Sequence, residues 1–213
     1  MARAGYWKHD YRYIVDAVKT TAPAWLIDIG CGTGAFLQFI SENIPDIRLY
    51  GLDLSEGMVR EVNSRMGTRA TVYQGDSEHM PLSDGQFDFV TCNMSIHHYP
   101  QAQLAVNEML RIVKAGGTVC INDMDCVAPI RWVANKIFPH LKSGDVKMYC
   151  RQEIEDMDNE TVEIWWHGET DQFTFEELAT CPTDEIDTRM DDLERTYYEE
   201  PEEEFDDFLL PDQ

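Results

Sequence analysis

The chain has 213 residues, enough for one α/β domain with a buried core and too few for two domains of ordinary size. Its formal net charge is -23, and the imbalance is concentrated after residue 150, where 24 of the 40 acidic residues and only 3 of the 17 basic ones stand. Such a carboxylate field repels phosphate groups and argues against a nucleic-acid or anionic-membrane surface in the C-terminal part.

The cysteines and the N-terminus indicate the compartment. The 6 cysteines form no CxxC pair and no metal-ligand spacing, and Cys31, Cys92 and Cys120 stand in apolar runs, where free thiols behave as small hydrophobes. The first residues, MARAGYWKHDY, are polar and aromatic rather than a signal peptide, and no apolar run approaches the roughly 18 residues of a membrane span. We expect a cytoplasmic protein with no membrane segment and no metal site.

Short apolar strands alternate with amphipathic helical segments from about residue 10 to about residue 145, a pattern typical of a parallel sheet with helices on both faces. The first helix is predicted over 6–19, where Tyr11, Ile14 and Val18 follow helical spacing. Ser55 is the expected N-cap of a later helix, and Gly116 with Gly117 would end another. Strands are predicted at 24–29, 47–53, 70–74, 87–93 and 118–123, and further helices at 34–43, 55–66 and 101–114.

Beyond residue 125 the pattern weakens. WVANKIF and RQEIEDMDN predict helices, and TVEIWWHG and QFTFEELAT predict two final strands. We therefore interpret 1–181 as one domain and 182–213 as an acidic C-terminal tail, either solvated or loosely docked. Tyrosine, phenylalanine and leucine residues within that tail leave open that it folds back or binds a basic partner.

A glycine-rich turn is the strongest local signal. Residues 26–36 read LIDIGCGTGAF, in which an apolar strand ends in a turn and a helix follows. Such a turn offers backbone N–H groups and the positive end of a helix dipole to a ligand. The spacing of Gly30, Gly32 and Ala35 also fits a dinucleotide fingerprint, so a nicotinamide or flavin dinucleotide remains an alternative, as does a tight turn without a ligand.

Three acidic residues discriminate between these alternatives. Asp28 stands two residues before Gly30, where a dinucleotide-binding turn normally has an apolar residue, and a carboxylate there favours a cationic ligand. Asp53 ends the second strand, where an acid binds the ribose hydroxyls of NAD and of adenosine equally well. Asp76 follows the third strand and suits the amine of adenine. Asp28 and Asp76 therefore count against a nicotinamide dinucleotide.

Five segments in this order carry a resemblance to a known family: LIDIGCGTG, GLDLSEGM, GDSEHMPLSDGQFDFV, SIHHYP and MLRIVKAGG. Over about residues 24–123 they resemble the class I S-adenosylmethionine (SAM)-dependent methyltransferases of the small-molecule type. The resemblance implies an α/β, Rossmann-like, doubly wound sheet of seven strands, the last one antiparallel, with strands six and seven at 161–167 and 172–180. It also implies SAM as cofactor and S-adenosylhomocysteine as its product.

The resemblance further implies which residues bind the methionine part of this cofactor. They belong to the glycine turn and the strand before it: Asp28, Gly30, Cys31, Gly32 and Gly34.

The other implied cofactor contacts lie on the next strands. Asp53 would bind the ribose, with Leu54 and Met58 against the adenosine. The remaining contacts are Asp76 on the adenine amine, Ser77 in support through its main chain, and Asn93 beside the sulfonium.

Methyl transfer from a sulfonium is an in-line displacement, so the protein must exclude water and align a nucleophile within about 3–3.5 Å of the methyl carbon. The segment after strand four, residues 93–99, is expected close to that point. Because imidazole titrates near neutral pH, His97 and His98 are predicted general bases, His97 being preferred. The alternative is that both histidines contact the cofactor or stabilise the fold.

Four aromatic residues are candidates for the substrate pocket. Tyr6, Trp7 and Tyr11 would form a lid from the first helix, or would simply pack that helix on the sheet. Trp132 follows strand five, where this family commonly builds its pocket, although core packing is the favoured interpretation for it.

Two departures from the family pattern limit the prediction. CNMSIHH stands where N/D-P-P-Y would indicate amino methylation of adenine or glutamine, and DNET at 158–161 replaces the Gly-Phe that usually precedes strand six. We therefore expect transfer of a methyl group to an O, N or C nucleophile of a small molecule, with a homodimer left open. The alternatives are a nucleotide-linked oxidoreductase and a non-catalytic SAM-binding regulator whose acidic tail binds a basic partner.

Overall fold

The computed structural model, which describes residues 4–124, 128–140, 144–157 and 163–169, is organised around one parallel sheet. Within these residues the sheet has 6 strands in the order β3-β2-β1-β4-β5-β6. The strands are β1 (Trp25–Ile29), β2 (Arg48–Asp53), β3 (Ala70–Gln74), β4 (Phe87–Asn93), β5 (Val113–Met124) and β6 (Glu163–Glu169).

All neighbouring strands pair in parallel, β5 with β6 included. The predicted α/β, Rossmann-like class is thereby confirmed. The expected antiparallel seventh strand, at 172–180, lies outside the described residues, as does the expected tail at 182–213.

Helices cover both faces of this sheet, as predicted. They are α1 (Ala4–Thr21), α2 (Ala35–Asn43), α3 (Glu56–Met66), α4 (Ala102–Ile112), α5 (Ala128–Ile137) and α6 (Arg151–Glu155). One apolar cluster joins the sheet to α1, α2 and α3, for example through Ile14, Leu37 and Val62. A second cluster joins the opposite face to α4 through residues such as Val106 and Met109.

This layering explains the apolar pattern of the chain. Leu26 and Ile27 point to opposite faces of β1 and are both fully buried, which requires a continuous apolar run rather than alternation. One side of α4 packs on the sheet, because each of its buried positions lies three or four residues from another: Ala102, Ala105, Val106, Met109 and Ile112.

The junction of α4 and β5 differs from the prediction. The helix ends at Ile112 and β5 begins at once, but the pairing moves from Phe87↔Val113 to Phe89↔Thr118. The intervening residues of β5 therefore bulge out of the ladder instead of ending a helix. A Cβ on Gly117 would lie 2.7 Å from the Asp88 carbonyl oxygen, so glycine is needed where this bulge touches β4.

The strand order reverses at β1: the chain runs outward from β1 to β2 and β3, and then returns to the other side of β1 as β4. At such a switch point the loops after adjacent strands diverge and leave a crevice at the carboxyl edge of the sheet. The glycine turn follows β1 at this position. None of the described helices is both long and apolar enough to span a bilayer.

Candidate functional site

The glycine turn between β1 and α2 has a conformation that only glycine adopts easily at three positions. Gly30, Gly32 and Gly34 have φ values of 69°, 51° and 80°. Gly30 is also crowded, since a Cβ there would lie 1.9 Å from Ser95 Oγ and 2.6 Å from Tyr99 Oη. Gly32 is different, because a Cβ there would meet no described atom within 4 Å. The turn thus packs on the segment after β4 at one end and is open at its centre.

The backbone N–H groups of this turn are largely engaged within the protein. Gly30 and Cys31 donate to the Leu52 carbonyl oxygen at 2.8 and 3.1 Å, and Gly32 donates to Asp53 Oδ2 at 2.8 Å. These bonds fasten the turn to β2, so these three N–H groups are not offered to a ligand as the sequence pattern suggested. The Cys31 side chain is buried and packs against Gly51, which places its thiol in the core rather than in the crevice.

Asp28 is buried near the end of β1 beneath this turn. Its Oδ1 accepts hydrogen bonds from Thr91 Oγ1 at 2.8 Å and Asn93 Nδ2 at 2.9 Å, both on β4. Burial raises the pKa of Asp28 to about 7; the two hydrogen bonds oppose this shift and the nearby carboxylate of Asp53 adds to it. A cation bound beside Asp28 would favour its ionised form.

Asp53 lies where β2 ends and holds two loops at once. Its Oδ2 accepts from Gly32, while its Oδ1 accepts from the Ser55 backbone N–H at 2.8 Å. Ser55 caps α3, as predicted, by accepting from the Met58 N–H. Beside Asp53, Leu54 is 71% exposed, an apolar surface next to a carboxylate.

Asp76 follows β3 and continues this row of carboxylates along the sheet edge. Its side chain is 50% exposed, and its Oδ1 accepts from the Glu78 backbone N–H at 2.8 Å. Ser77 is buried. The neighbouring Glu78 carboxylate accepts from the Gln101 N–H at 2.6 Å and so ties this turn to the start of α4.

Two asparagines at the carboxyl ends of β4 and β5 carry unpaired groups. Asn93 pairs in register with Asn122, which is 1% exposed. Within the described parts of the chain, Asn93 Oδ1 and both amide atoms of Asn122 are buried without a hydrogen-bond partner. Such groups are rare in folded proteins and are expected beside a ligand or ordered water. Sequence reasoning missed Asn122, although a polar residue ending the apolar run TVCIND was a signal for it.

A short 3-10 turn after β4, Ile96–His98, carries the two histidines. His97 is buried, with Nδ1 2.6 Å from Asp123 Oδ1 and Nε2 3.5 Å from Asp145 Oδ1. Burial disfavours a charge there, but the carboxylates of Asp123 and Asp145 outweigh it and raise the pKa of His97. Neither aspartate was singled out from the sequence. Asp123 is the last residue but one of β5, and its place at the end of the apolar run was a usable signal; Asp145 stands in an irregular segment that offered none.

His98 is placed differently from its neighbour. Its side chain is 40% exposed, and its Nδ1 lies 3.2 Å from Asp145 Oδ1. Burial and the adjacent charge of His97 lower the pKa of His98. Because both ring nitrogens of His97 face carboxylates, His98 is the better placed of the two to accept a proton from a bound molecule. The base role of either histidine stays a prediction.

Two of the four aromatic candidates for the substrate pocket, Tyr11 and Trp132, have side chains that the structure describes. Tyr11 packs on α2, with its ring 5.2 Å from that of Phe36. Trp132 is 66% exposed on α5, so the expectation that it packs in the core is wrong: the buried side of this segment carries Ala134 and Phe138 instead. The side chains of the other two candidates, Tyr6 and Trp7, lie outside the described part of the structure.

Comparison with known proteins gives a family match and several relatives. Residues 27–121 match the family described as "Methyltransferase domain". The demethylmenaquinone methyltransferase of Staphylococcus carnosus (strain TM300) is 31% identical over 108 residues, covering 49% of this chain and 45% of that protein. A malonyl-[acyl-carrier protein] O-methyltransferase of Methylococcus capsulatus is 28% identical over 138 residues, covering 62% and 50%. The chain thus spans about half the length of the curated relatives it matches.

Solved structures with the same fold include two bacterial proteins. The YcgJ protein of Bacillus subtilis has a TM-score of 0.62 and 24% identity, covering 70% of this chain and 66% of that one. SAM-bound CalS10, an amino pentose methyltransferase of Micromonospora echinaspora, has a TM-score of 0.51 and 24% identity, covering 57% and 52%. At this level of identity the likeness establishes the shared fold.

Proposed function

We propose, from the premise that residues 27–121 form a class I SAM-dependent methyltransferase domain, that this chain transfers a methyl group from SAM to an O, N or C nucleophile of a small molecule. The family and its cofactor, both predicted from the motifs, are confirmed by the family match and the relatives. The reaction of this particular chain and the roles of its residues are the proposal.

One observation carries the proposal: three carboxylates stand in a row at the carboxyl edge of three adjacent strands. Asp28 lies on β1, Asp53 ends β2 and Asp76 follows β3. A cationic methionine part, a ribose and an adenine amine offer, in the same order, a positive charge, two hydroxyl donors and an N–H donor. The row matches a SAM molecule laid across the strands.

The residues of this edge have capacity left for such a ligand. A carboxylate offers about four acceptor positions, and the backbone bonds from Gly32 and Ser55 use two of those of Asp53. Asn93 Oδ1 has no partner among the described residues, and the space beside Gly32 is open. The exposed Leu54 side chain is an apolar surface that an adenosine would cover.

Each residue then has a stated task. Asp28 and the turn of Gly30, Gly32 and Gly34 surround the methionine part, and Cys31 belongs to this turn with its thiol in the core. Asp53 binds the ribose, and Asn93 lies beside the sulfonium. The adenosine contacts are those of Leu54, Met58, Asp76 and Ser77.

SAM, when bound, supplies the methyl group and the leaving group of an in-line displacement. The protein has to hold the acceptor atom in line with the methyl carbon and keep water away. His98, at the same edge of the sheet, is the base for an acceptor that must lose a proton. An acceptor that is already anionic needs no base.

The acceptor itself is left as a class. The two curated relatives carry the names of a demethylmenaquinone methyltransferase and a malonyl-[acyl-carrier protein] O-methyltransferase, so proteins of similar sequence differ in what they methylate. A small-molecule acceptor is supported by these names, while a homodimer and a cytoplasmic location stay predictions.

Calorimetric titration of the purified chain with S-adenosylhomocysteine and, separately, with NADH tests the proposal. We expect micromolar binding of S-adenosylhomocysteine, no heat with NADH, and loss of binding in Asp53→Ala. Glu56→Ala is the matched control, because Glu56 is a nearby acid whose exposed carboxylate pairs with Arg60 and faces solvent.

Two outcomes would overturn the proposal. Binding of NADH without S-adenosylhomocysteine would make the chain a nucleotide-linked oxidoreductase. Binding of S-adenosylhomocysteine without methyl transfer from SAM to any of a panel of phenol, thiol, amine and carboxylic acid acceptors would favour the non-catalytic regulator.

A further inference from the structure

Three side chains with metal-binding atoms meet at the turn after β4. They are His97, His98 and Asp145, and one ligand atom of each lies within 4.8 Å of the others. The two histidines are consecutive in the 3-10 turn after β4, and their rings are 4.0 Å apart. Asp145 comes from the segment before α6 and is buried against them. Their separation along the chain explains why the sequence predicted no metal site.

The distances fit the edges of a small coordination polyhedron. With Zn–N and Zn–O bonds of about 2.0–2.1 Å, two ligand atoms of a tetrahedral zinc site lie about 3.3 Å apart. Asp145 Oδ1 is 3.5 Å from His97 Nε2 and 3.2 Å from His98 Nδ1. The third edge, between the two histidines, is at most 4.8 Å, so His98 has to move nearer to His97 for both to bind one ion.

Asp123 orients His97 as the partner of a metal ligand would. Its Oδ1 lies 2.6 Å from His97 Nδ1, and its Oδ2 accepts from the His97 backbone N–H at 3.3 Å. A histidine that binds a metal through one nitrogen almost always donates its other N–H to such a carboxylate or to a carbonyl. With Nδ1 committed to Asp123, His97 presents Nε2 to Asp145 and His98.

The surroundings of the two histidines are acidic. Asp123 and Asp145 are two nearly fully buried carboxylates on either side of the His97 imidazole. A cation bound between the histidines would be attracted to both carboxylates.

We propose that His97, His98 and Asp145 bind one divalent transition-metal ion, with Zn²⁺ the best match to this N₂O donor set, and that Asp123 positions His97 for it. Three protein ligands leave the fourth position of a tetrahedral ion for water or a donor atom of a ligand. The exposed side of His98 is the path by which the ion enters. The two proposals share His98: a bound ion would occupy the nitrogen that faces Asp145 and would take this side chain out of the role of base in methyl transfer.

The test measures Zn²⁺ binding directly. The full chain is stripped with a chelator and titrated with Zn²⁺ in competition with a chromophoric chelator, with Co²⁺ spectra recorded in parallel. We expect one tight equivalent and a Co²⁺ spectrum without a thiolate charge-transfer band, which separates this site from the free cysteines.

Variants assign the binding to the cluster. His98→Ala changes an exposed side chain, so the fold is expected to survive, and it should lose the tight equivalent. Asp123→Asn, which removes the orienting carboxylate, should weaken binding about 10–100-fold. His79→Ala is the matched control: His79 is an exposed histidine 4.0 Å from Asp76, outside the cluster, and should bind Zn²⁺ like the unmodified chain.

Absence of a tight equivalent, or equal Zn²⁺ affinity in the unmodified chain and in His98→Ala, would overturn the proposal and leave His97 as a protonated bridge between two carboxylates. Titration of the same samples with S-adenosylhomocysteine keeps the two proposals apart. Zn²⁺ binding without S-adenosylhomocysteine binding would count against the methyltransferase alone, and the reverse would count against the metal site alone.

Discussion

The crevice has two halves that are held by different kinds of contact. In the loop half, residues 28–34 and 53–58, backbone groups make most of the bonds, and positive φ values set the path of the chain. In the histidine half, residues 95–99, 122–124 and 144–147, buried ionisable side chains hold one another. The loop half therefore depends on where a Cβ is absent, whereas the histidine half depends on which functional group each side chain carries.

The two halves meet at a seam where β1 faces β4. Gly30 lies against Ser95 and Tyr99, whose hydroxyl groups are 2.8 Å apart, and Asp28 accepts a hydrogen bond from Asn93. Substitutions at this seam should alter the packing of both halves. Substitutions away from it should alter the packing of one half only.

The largest effect is expected from Gly30→Ala. The new Cβ would overlap Ser95 Oγ and would also stand at a positive φ, so we expect a loss of about 2–4 kcal/mol in the free energy of unfolding. Urea denaturation followed by circular dichroism measures it.

Gly32→Ala is the matched control for this change. Gly32 also has a positive φ, but the added methyl group would lie in open space. Only the backbone strain of an alanine at positive φ, about 1–2 kcal/mol, is therefore expected. Equal losses in the two variants would show that the seam does not constrain the loop half.

The next largest effect is a pH dependence of ligand binding, which arises from the buried carboxylate of Asp28 in the loop half. The folded-state pKa of Asp28 is raised to about 7 from 3.8, so its protonated form is favoured in the empty protein. Its contribution to stability is full below about pH 4 and is lost as the pH rises through 7. S-adenosylhomocysteine lacks the sulfonium charge of SAM but keeps the α-ammonium group, and this cation beside Asp28 favours the ionised carboxylate. The affinity for S-adenosylhomocysteine should therefore rise up to about tenfold per pH unit below 7 and level off above it.

The thiols and the hydroxyl group beside Asp28 do not produce this dependence. The thiols of Cys31 and Cys120 stay neutral because burial raises the pKa of each, and Thr91 does not titrate. Asp28→Asn keeps an oxygen that accepts from Thr91 and Asn93 and should abolish the pH dependence. Calorimetric titrations from pH 5.5 to about 8.5 would decide, and an unchanged slope in the variant would assign the proton to another group.

The smallest effect is expected at Asn122, on the edge of the histidine half. Replacing an unpartnered buried amide by an apolar side chain of similar shape removes no hydrogen bond among the described residues, so Asn122→Leu should change the free energy of unfolding by less than about 1 kcal/mol or stabilise the fold.

Thr91→Val is the comparison variant, because it has nearly the same shape but breaks the bond to Asp28 and should cost about 1–2 kcal/mol at pH 8. Thermal unfolding of both variants measures the difference. A loss above about 2 kcal/mol in Asn122→Leu would mean that this amide has a partner that the described residues do not include.

The sequence predicted much of the fold because its apolar patterns are local. The strand positions, the helices on both faces and the cap at Ser55 agree with the structure. The bulge at Gly116 and Gly117 was missed because it depends on contact with Asp88 of the neighbouring strand. Trp132 was expected in the core because tryptophan is buried on average. Its actual exposure depends on the side of α5 on which it lies.

The loop half was determined by the sequence itself. Its glycines, its strand-ending acids and its cap lie in two short segments whose residue types can be seen in the sequence, and the order of those segments carried the resemblance to a known family. What only the tertiary structure decided is the histidine half. Asp123 follows His97 by 26 positions and Asp145 follows later still, so no local pattern could bring them together. Their meeting results from the packing of β5 and the segment before α6 against the turn after β4, where burial makes each charge depend on its partner.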